Sequence, residues 1–201
     1  MAKKQREISV SEFFAKNRHL LGFDNPRKAL MTTIKEAVDN ALDACEEAGI
    51  LPNLFVGIEP LNKDTRFRVT VRDNGPGIVR QQVENVFGRL LYGSKFHRLR
   101  MSRGQQGIGI AAAGMYGLMT TGKPMIIHTK PKKSGKCHRI VLAIDTQKNK
   151  ADVSDHIELD YAHSPETGTE VSIELEGRFQ RGKQSVDEYL KQTAIANPHA
   201  Q

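Results

Sequence analysis

PRKALMTTIKEAVDNALDACEEAG, residues 26–49, reads as one uninterrupted helix. Asn25 stands where a cap belongs, Pro26 takes the first helical position and Gly49 falls just past the end. At about 100° per residue, Leu30, Ile34, Ala37, Val38, Ala41 and Cys45 share one side. Glu36, Asn40, Asp43 and Glu47 form a second stripe, rotated from the first by roughly 140°. One face therefore belongs in a core, and the other sets acids and an amide in a row. Such a stripe is either a solvated surface or a set of oxygen ligands. It holds no lysine to relieve the repulsion, and a hydrated Mg²⁺ that also touches substrate phosphates takes ligands of this kind.

Outward from this helix the chain alternates helices with strands. Residues 1–10 read as a polar arm, and 11–21 as a short helix capped by Ser11 and ended by Gly22. A turn at 51–53 leads to a strand at 54–59 and a second turn at 62–65. Residues 66–72 then alternate cleanly, with Phe67, Val69 and Val71 on one face and Arg66, Arg68, Thr70 and Arg72 on the other. That is a half-buried strand, antiparallel to its predecessor. A helix at 81–91 carries Val83, Val86, Phe87 and Leu90 on its apolar side. Residues 92–106, YGSKFHRLRMSRGQQ, are basic and without period, which reads as a mobile loop over a site. A helix at 107–119, strands at 124–130 and 138–145, a strand at 170–174 and a helix at 187–196 complete the order. Residues 146–165 read as a polar loop or linker. The expected class is α/β: a sandwich with helices on one face of a mixed, mostly antiparallel sheet.

Composition sets the outer bounds. The 201 residues suffice for one domain with a sizeable core, and 38% hydrophobic with 26% charged residues marks a globular chain. No apolar run approaches the ~20 residues that cross a bilayer, and the basic start lacks a signal core, so a cytoplasmic, membrane-free protein is expected. Cys45 and Cys137 have no zinc-type spacing, and Cys45, on the apolar side of its helix, reads as a buried free thiol. A net charge of +7 favours phosphate-rich partners without choosing between nucleotide and nucleic acid. With no Trp and 6% aromatics, a base-stacking surface for single strands is not expected.

Two glycine motifs carry the chemistry. In Asp73-Asn74-Gly75-Pro76-Gly77-Ile78 the Asn-Gly and Pro-Gly pairs read as a strand-ending turn. The aspartate at the strand end is an acceptor-only group suited to an exocyclic amine such as that of adenine, and Gly75 and Gly77 let the backbone pass close to a flat ring. In GQQGIGIAAAGMYG, residues 104–117, Gly107-x-Gly109-x-x-Ala112 formally satisfies the dinucleotide fingerprint. RLRMSRGQQ stands where that motif needs a strand, so the assignment is rejected; a P-loop is absent too. What remains is a glycine loop opening a helix, either purely structural or a cradle whose free N–H groups hold an anion.

Taken together, an E-x-x-x-N-x-x-D helix, a D-x-G-x-G turn, a long loop ending in a glycine cradle and a later Thr-Gly-Thr strand entry resemble the GHKL ATPases. That superfamily spans type II topoisomerase ATPase subunits, mismatch-repair ATPases, heat-shock chaperones and sensor histidine kinases. Longer stretches are similar to the B subunits of DNA topoisomerase VI, the type IIB enzymes: 13–53, GSKF at 93–96, SRGQQGIGIAAA at 102–113, TTGKP at 120–124 and TAIANPHA at 193–200. The resemblance implies the GHKL (Bergerat) sandwich over 23–201, preceded by an arm and short helix at 1–22. It also implies ATP and Mg²⁺ as ligands. Glu36 would activate the attacking water, Asn40 would bind Mg²⁺, and Asp73 would hold the adenine amine with Gly75 and Gly77 beside the ring. Ser94, Lys95, Gly104, Gln105, Gln106, Gly107, Ile108, Gly109, Ile110 and Ala111 would wrap the phosphates. Thr169 would support the adenine end, and Asp43 would have a supporting or structural role.

The same resemblance implies a homodimeric gate closed by ATP, a heterotetramer with the A subunits of topoisomerase VI, and double-stranded DNA as the substrate passed. None of the four tyrosines lies in anything like a strand-cleavage motif, so cutting would belong to the partner. The family's phosphate-contacting lysine comes from a transducer domain that would lie beyond residue 201, so the chain is expected to be a fragment. The alternative is another GHKL clamp, of mismatch-repair or chaperone type. A histidine-directed kinase would waste Glu36, and a DNA-binding domain rests on charge alone. Lys130, Lys132, Lys133 and Lys136 read as a solvated hairpin tip or a duplex contact, and Arg98, Arg100 and Arg103 as serving phosphates or the dimer seam.

Overall fold

The computed structural model describes residues 10–62, 65–90, 108–131, 135–145, 147–148, 150–159 and 167–201. Its long helix is the one expected from sequence. Helix α2, Pro26–Ala48, is capped by Asn25, whose side chain accepts from Lys28 N at 3.0 Å, and ends at Gly49 in the left-handed conformation (φ +66°). Ala29, Leu30, Ile34, Ala37, Val38, Ala41, Leu42 and Cys45 are buried along one side.

Ahead of it, α1 spans Val10–Asn17. Ser11 thus lies inside the helix and not ahead of it, and the helix ends before Gly22. Gly22 (φ +79°) belongs to the following turn, where Phe23 N donates to Arg18 O at 2.8 Å. Phe14 is fully buried and stacks, tilted, on Phe23, which in turn meets Tyr116. This aromatic row ties α1 to the core.

The strands are β1 (Leu54–Pro60), β2 (Arg66–Asp73), β3 (Met125–Lys130), β4 (Cys137–Asp145), β5 (Lys150–Leu159) and β6 (Gly168–Glu176). They form one sheet in the order β1-β2-β6-β3-β4-β5, and every pairing is antiparallel, so the expected mixed sheet is corrected to a wholly antiparallel one. The late strand β6 inserts between β2 and β3, which brings the ends of two distant segments side by side.

β5 is a second correction. Residues 150–159 lie in the stretch read as a loop, yet they pair with β4 along its length as the sheet edge. Helix α3 is Arg80–Gly88, shorter than expected; Leu90 is buried but lies beyond its end. Helix α4 is Gly109–Thr121, closed by Gly122 (φ +69°), and α5 is Val186–Ala196, capped by Ser185, whose hydroxyl accepts from Glu188 N.

α2, α3 and α4 pack on one face of the sheet and α5 leans on α2. Phe67, Val69 and Val71 of β2 meet Leu175, Ile173 and Val171 of β6 in register beneath them, and Ile127, Ile140 and Leu142 continue the floor. The opposite face is polar. There Arg66, Arg68 and Arg72 stand across from Glu176, Glu174 and Glu170, and Glu174 accepts from Arg66 at 3.0 Å and from Arg68 at 2.9 Å.

Candidate functional site

A cavity of about 440 Å³ opens between α2, α3, the first turn of α4 and the ends of β2 and β6. This is a size that accommodates a nucleotide-sized ligand. The polar stripe of α2 forms one wall: Glu36, Asn40, Asp43 and Glu47, with Ala37, Ala41 and Ala44 between them. Val71 and Val171, paired across β2 and β6, form the floor, and Ile78, Val86 and Phe87 close the apolar end. One half is thus a dry slot for a flat ring, and the other is lined by acids and an amide.

Asp73 ends β2 facing this slot and is 8% exposed. Its Oδ1 accepts from Gly75 N at 2.8 Å and from Thr169 N at 3.2 Å. Both backbone bonds converge on one oxygen, so the carboxylate is fixed in orientation with Oδ2 left to accept from a ligand. Burial pushes its pKa up to about 6, against the pull of those two N–H groups. Behind it the Cys45 thiol, raised to about 11 by burial and then by the Asp73 charge, stays neutral and donates to Asn74 Oδ1 at 3.5 Å. Cys45 and Cys137 are both free and buried, as expected for Cys45.

The turn after Asp73 is pinned at both ends. Asn74 accepts from Asn53 N and donates to Leu51 O. Thr129 Oγ1, on β3, accepts from Ile78 N at 2.7 Å and donates to Ile78 O at 3.0 Å. Gly77 lies between them at φ +68°, and a Cβ there would run into the Lys130 carbonyl. Proline and glycine thus let the backbone itself form the cavity wall at Pro76, Gly77 and Ile78.

At the opposite end α4 begins with Gly109 against Glu36. A Cβ on Gly109 would overlap the Glu36 carboxylate. The N-cap position, Ile108, supplies no side-chain hydrogen bond to the start of α4, the end of a helix that favours anions. Among the described residues no group of three or more His, Cys, Asp and Glu could hold a metal by itself. Asn40 suits a Mg²⁺ shared with phosphates, which needs only one or two protein oxygens.

Of the residues singled out in the sequence, Glu36, Asn40, Asp73, Gly77, Gly109, Ile110 and Thr169 meet around this cavity. Gly75 sits behind Asp73 as a hydrogen-bond donor, and Ile108 and Ala111 are buried beside the start of α4. Ser94, Lys95, Gly104, Gln105, Gln106 and Gly107 lie outside the described residues, as does the loop 92–106.

The family model for histidine kinase-, DNA gyrase B- and HSP90-like ATPases matches residues 25–178. The chain belongs to this ATPase family. All 201 residues align at 53% identity with the B subunit of type 2 DNA topoisomerase 6 from Archaeoglobus fulgidus, covering 33% of that protein. The corresponding protein of Methanosarcina mazei is 51% identical over 201 residues, 32% of its length. The chain therefore spans about a third of the curated relatives it matches. Among solved structures, the ATPase region of Saccharomyces cerevisiae topoisomerase II bound to ICRF-187 superposes with a TM-score of 0.54 at 14% identity, over 81% of this chain and 43% of that one. The ATPase and transducer domains of DNA topoisomerase II from Balamuthia mandrillaris give 0.50 at 17% identity, over 72% and 36%. These likenesses show a shared ATPase fold.

Two lining residues of this ATPase domain, Val86 and Phe87, and one residue that braces the lining at Ile78, Thr129, were not singled out as site residues from sequence. Val86 and Phe87 carried an apolar-face signal, but that marks burial and does not say that the burial faces a cavity. Thr129 gave no signal, because its partner Ile78 is 51 residues away.

Proposed function

We propose that the cavity binds Mg²⁺–ATP and that the chain is the ATP-hydrolysing module of a type II DNA topoisomerase. The observation that carries this is the meeting of Glu36, Asp73 and Gly109, from three distant segments, around one space with an apolar and a polar half. Asp73 Oδ2 accepts the adenine amine while Gly75 N and Thr169 N hold its other oxygen in place. Val71, Val171 and Ile78 sandwich the base. The N-terminal end of α4 takes the phosphates, with Ser94, Lys95 and residues 104–107 assigned to the same task by the family resemblance. Asn40 would hold Mg²⁺, which would supply charge neutralisation to the phosphates. Glu36, set at the phosphate end, orients the attacking water and accepts its proton; a base of this kind contributes roughly 10²–10⁴-fold.

The identity of about half of all residues with the B subunits of topoisomerase VI supports the further reading. ATP binding brings two copies together as a gate around double-stranded DNA, hydrolysis resets it, and the A subunits of that enzyme supply cleavage. The test is calorimetry and solution mass with Mg²⁺ and a non-hydrolysable ATP analogue. One nucleotide bound per chain with doubling of the mass is expected; no bound nucleotide overturns the proposal. Supercoil relaxation together with a DNA-cleaving partner separates it from a mismatch-repair or chaperone clamp.

A further inference from the structure

The turn that follows Asp73 starts with a residue outside the cavity lining, Asn74. β1 and β2 pair with Leu54 opposite Asp73, so the next rung of the ladder would join Asn53 to residue 74. A side chain makes that rung. Asn74 Oδ1 accepts from Asn53 N at 2.8 Å, and Asn74 Nδ2 donates to Leu51 O at 3.0 Å. A backbone donor at one end and a backbone acceptor at the other fix which way the amide points. Cys45 Sγ, on α2, donates weakly to the same oxygen at 3.5 Å. The strip that the amide grips is itself held from the far side. Gln201 N donates to Pro52 O at 2.9 Å, and Leu54 N donates to Gln201 O at 2.8 Å.

With a side chain standing in for the ladder, the backbone at 74–75 leaves the sheet. Gly75 N turns back and donates to Asp73 Oδ1 at 2.8 Å. The fit leaves little slack, since a Cβ on Gly75 would stand 2.8 Å from that oxygen and 3.4 Å from Cys45 Sγ. The direction of the Asp73 carboxylate therefore depends on where residue 74 is pinned. A carboxylate left to turn must be ordered when ligand binds, which weakens the bond it makes. We propose that Asn74 is a positioning residue for base recognition. By stapling the start of the turn to Leu51 and Asn53, it holds Gly75 N against Asp73 Oδ1 and leaves Oδ2 aimed at the exocyclic amine. This rests on the reading of Asp73 as the acceptor of that amine. Asn74 acts only through Asp73, so its contribution is confined to ligands that carry an amine at that place.

The test is calorimetry on the whole chain with two ligands, at about pH 8, where Asp73 is ionised. One is ADP; the other is the 5′-diphosphate of purine riboside, which has hydrogen in place of the amine. Wild type should bind ADP about tenfold more tightly or better, the size of one hydrogen bond to a charged acceptor. In Asn74→Ala that preference should shrink to within about threefold, with the amine-free ligand bound within about threefold of wild type. A staple that only stabilises the fold would weaken both ligands together or neither, so a preference that stays at its wild-type size overturns the proposal. Asn74→Asp has the same shape, keeps the acceptor for Asn53 N and loses the donor to Leu51 O. It should cut the preference as well, and it carries the test should Asn74→Ala fail to fold. Equal affinity for the two ligands in wild type would overturn the assignment of Asp73 itself, a result distinct from a preference that survives both substitutions.

Discussion

The Glu36 carboxylate fills the space that a side chain on Gly109 would need. Contact this close fixes the middle of α2 against the first turn of α4, and it places an acid where amide dipoles converge. It also makes Gly109 a position where the smallest possible addition acts on the acid directly.

Gly109→Ala should therefore cost hydrolysis out of proportion to stability. Alanine is favoured over glycine within helices by about 1 kcal/mol, so the helix itself is not harmed. The added methyl displaces Glu36, and single-turnover hydrolysis should fall by about 10²-fold or more. A Tm near that of wild type alongside this loss is the expected pair of measurements.

Asp73 sets two opposite pH trends. Its folded pKa, about 6, lies above the ordinary 3.8, so the folded state holds the proton more tightly. Stability is then greatest below about pH 4 and declines as pH rises towards 6, by about 3 kcal/mol in all. Nucleotide affinity should run the other way, because the ionised carboxylate accepts from the adenine amine, and should weaken as pH falls through about 6. In Asp73→Asn, urea melts should lose the pH trend over that window, and calorimetry should show nucleotide binding lost.

Thr129→Val keeps the shape of a buried side chain and removes one hydroxyl. Ile78 N–H and Ile78 C=O both lose their partner, which should cost about 2–3 kcal/mol in urea unfolding with an unchanged m-value. Thr129→Ser, which keeps the oxygen, should recover most of it. Nucleotide affinity should fall with Val and return with Ser.

Gly88, at the end of α3, meets Ala151 of the edge strand so closely that a Cβ would overlap it. Gly88→Ala should destabilise by about 1–3 kcal/mol through overpacking. Ala151→Gly added to it should relieve most of that cost, a coupling that a double-mutant cycle measures.

The legible parts of the fold were those whose signals are local. Asn25, Pro26 and Gly49 each act within a turn of their own helix end, and Phe67, Val69 and Val71 alternate because one face of β2 is buried. Glu36 and Asn40 share a face by helix geometry, so their convergence on one wall followed from spacing. β5 was missed because its signal is weak: only Ala151 and Val153 pack on the core, among Lys150, Asp152, Ser154, Asp155, His156 and Glu158. An edge strand has one neighbour and an open flank, and the irregularity at Val141/Leu142 breaks its alternation. Ser11 carried a cap signature inside a helix that starts earlier. The contact of Thr129 with Ile78 depends on β3 lying beside β6, a pairing no local pattern encodes.

On the outer face of the sheet, the cationic comb that β2 presents in sequence meets its own counter-comb. Arg68 shares Glu174 with Arg66 and reaches Glu59, while Arg72 and His128 flank Glu170. Opposite signs a few ångströms apart cancel well within a screening length of about 8 Å. A strand with three arginines is thus electrically quiet to an approaching polyanion, and the surplus of seven positive charges is felt from other surfaces of the chain.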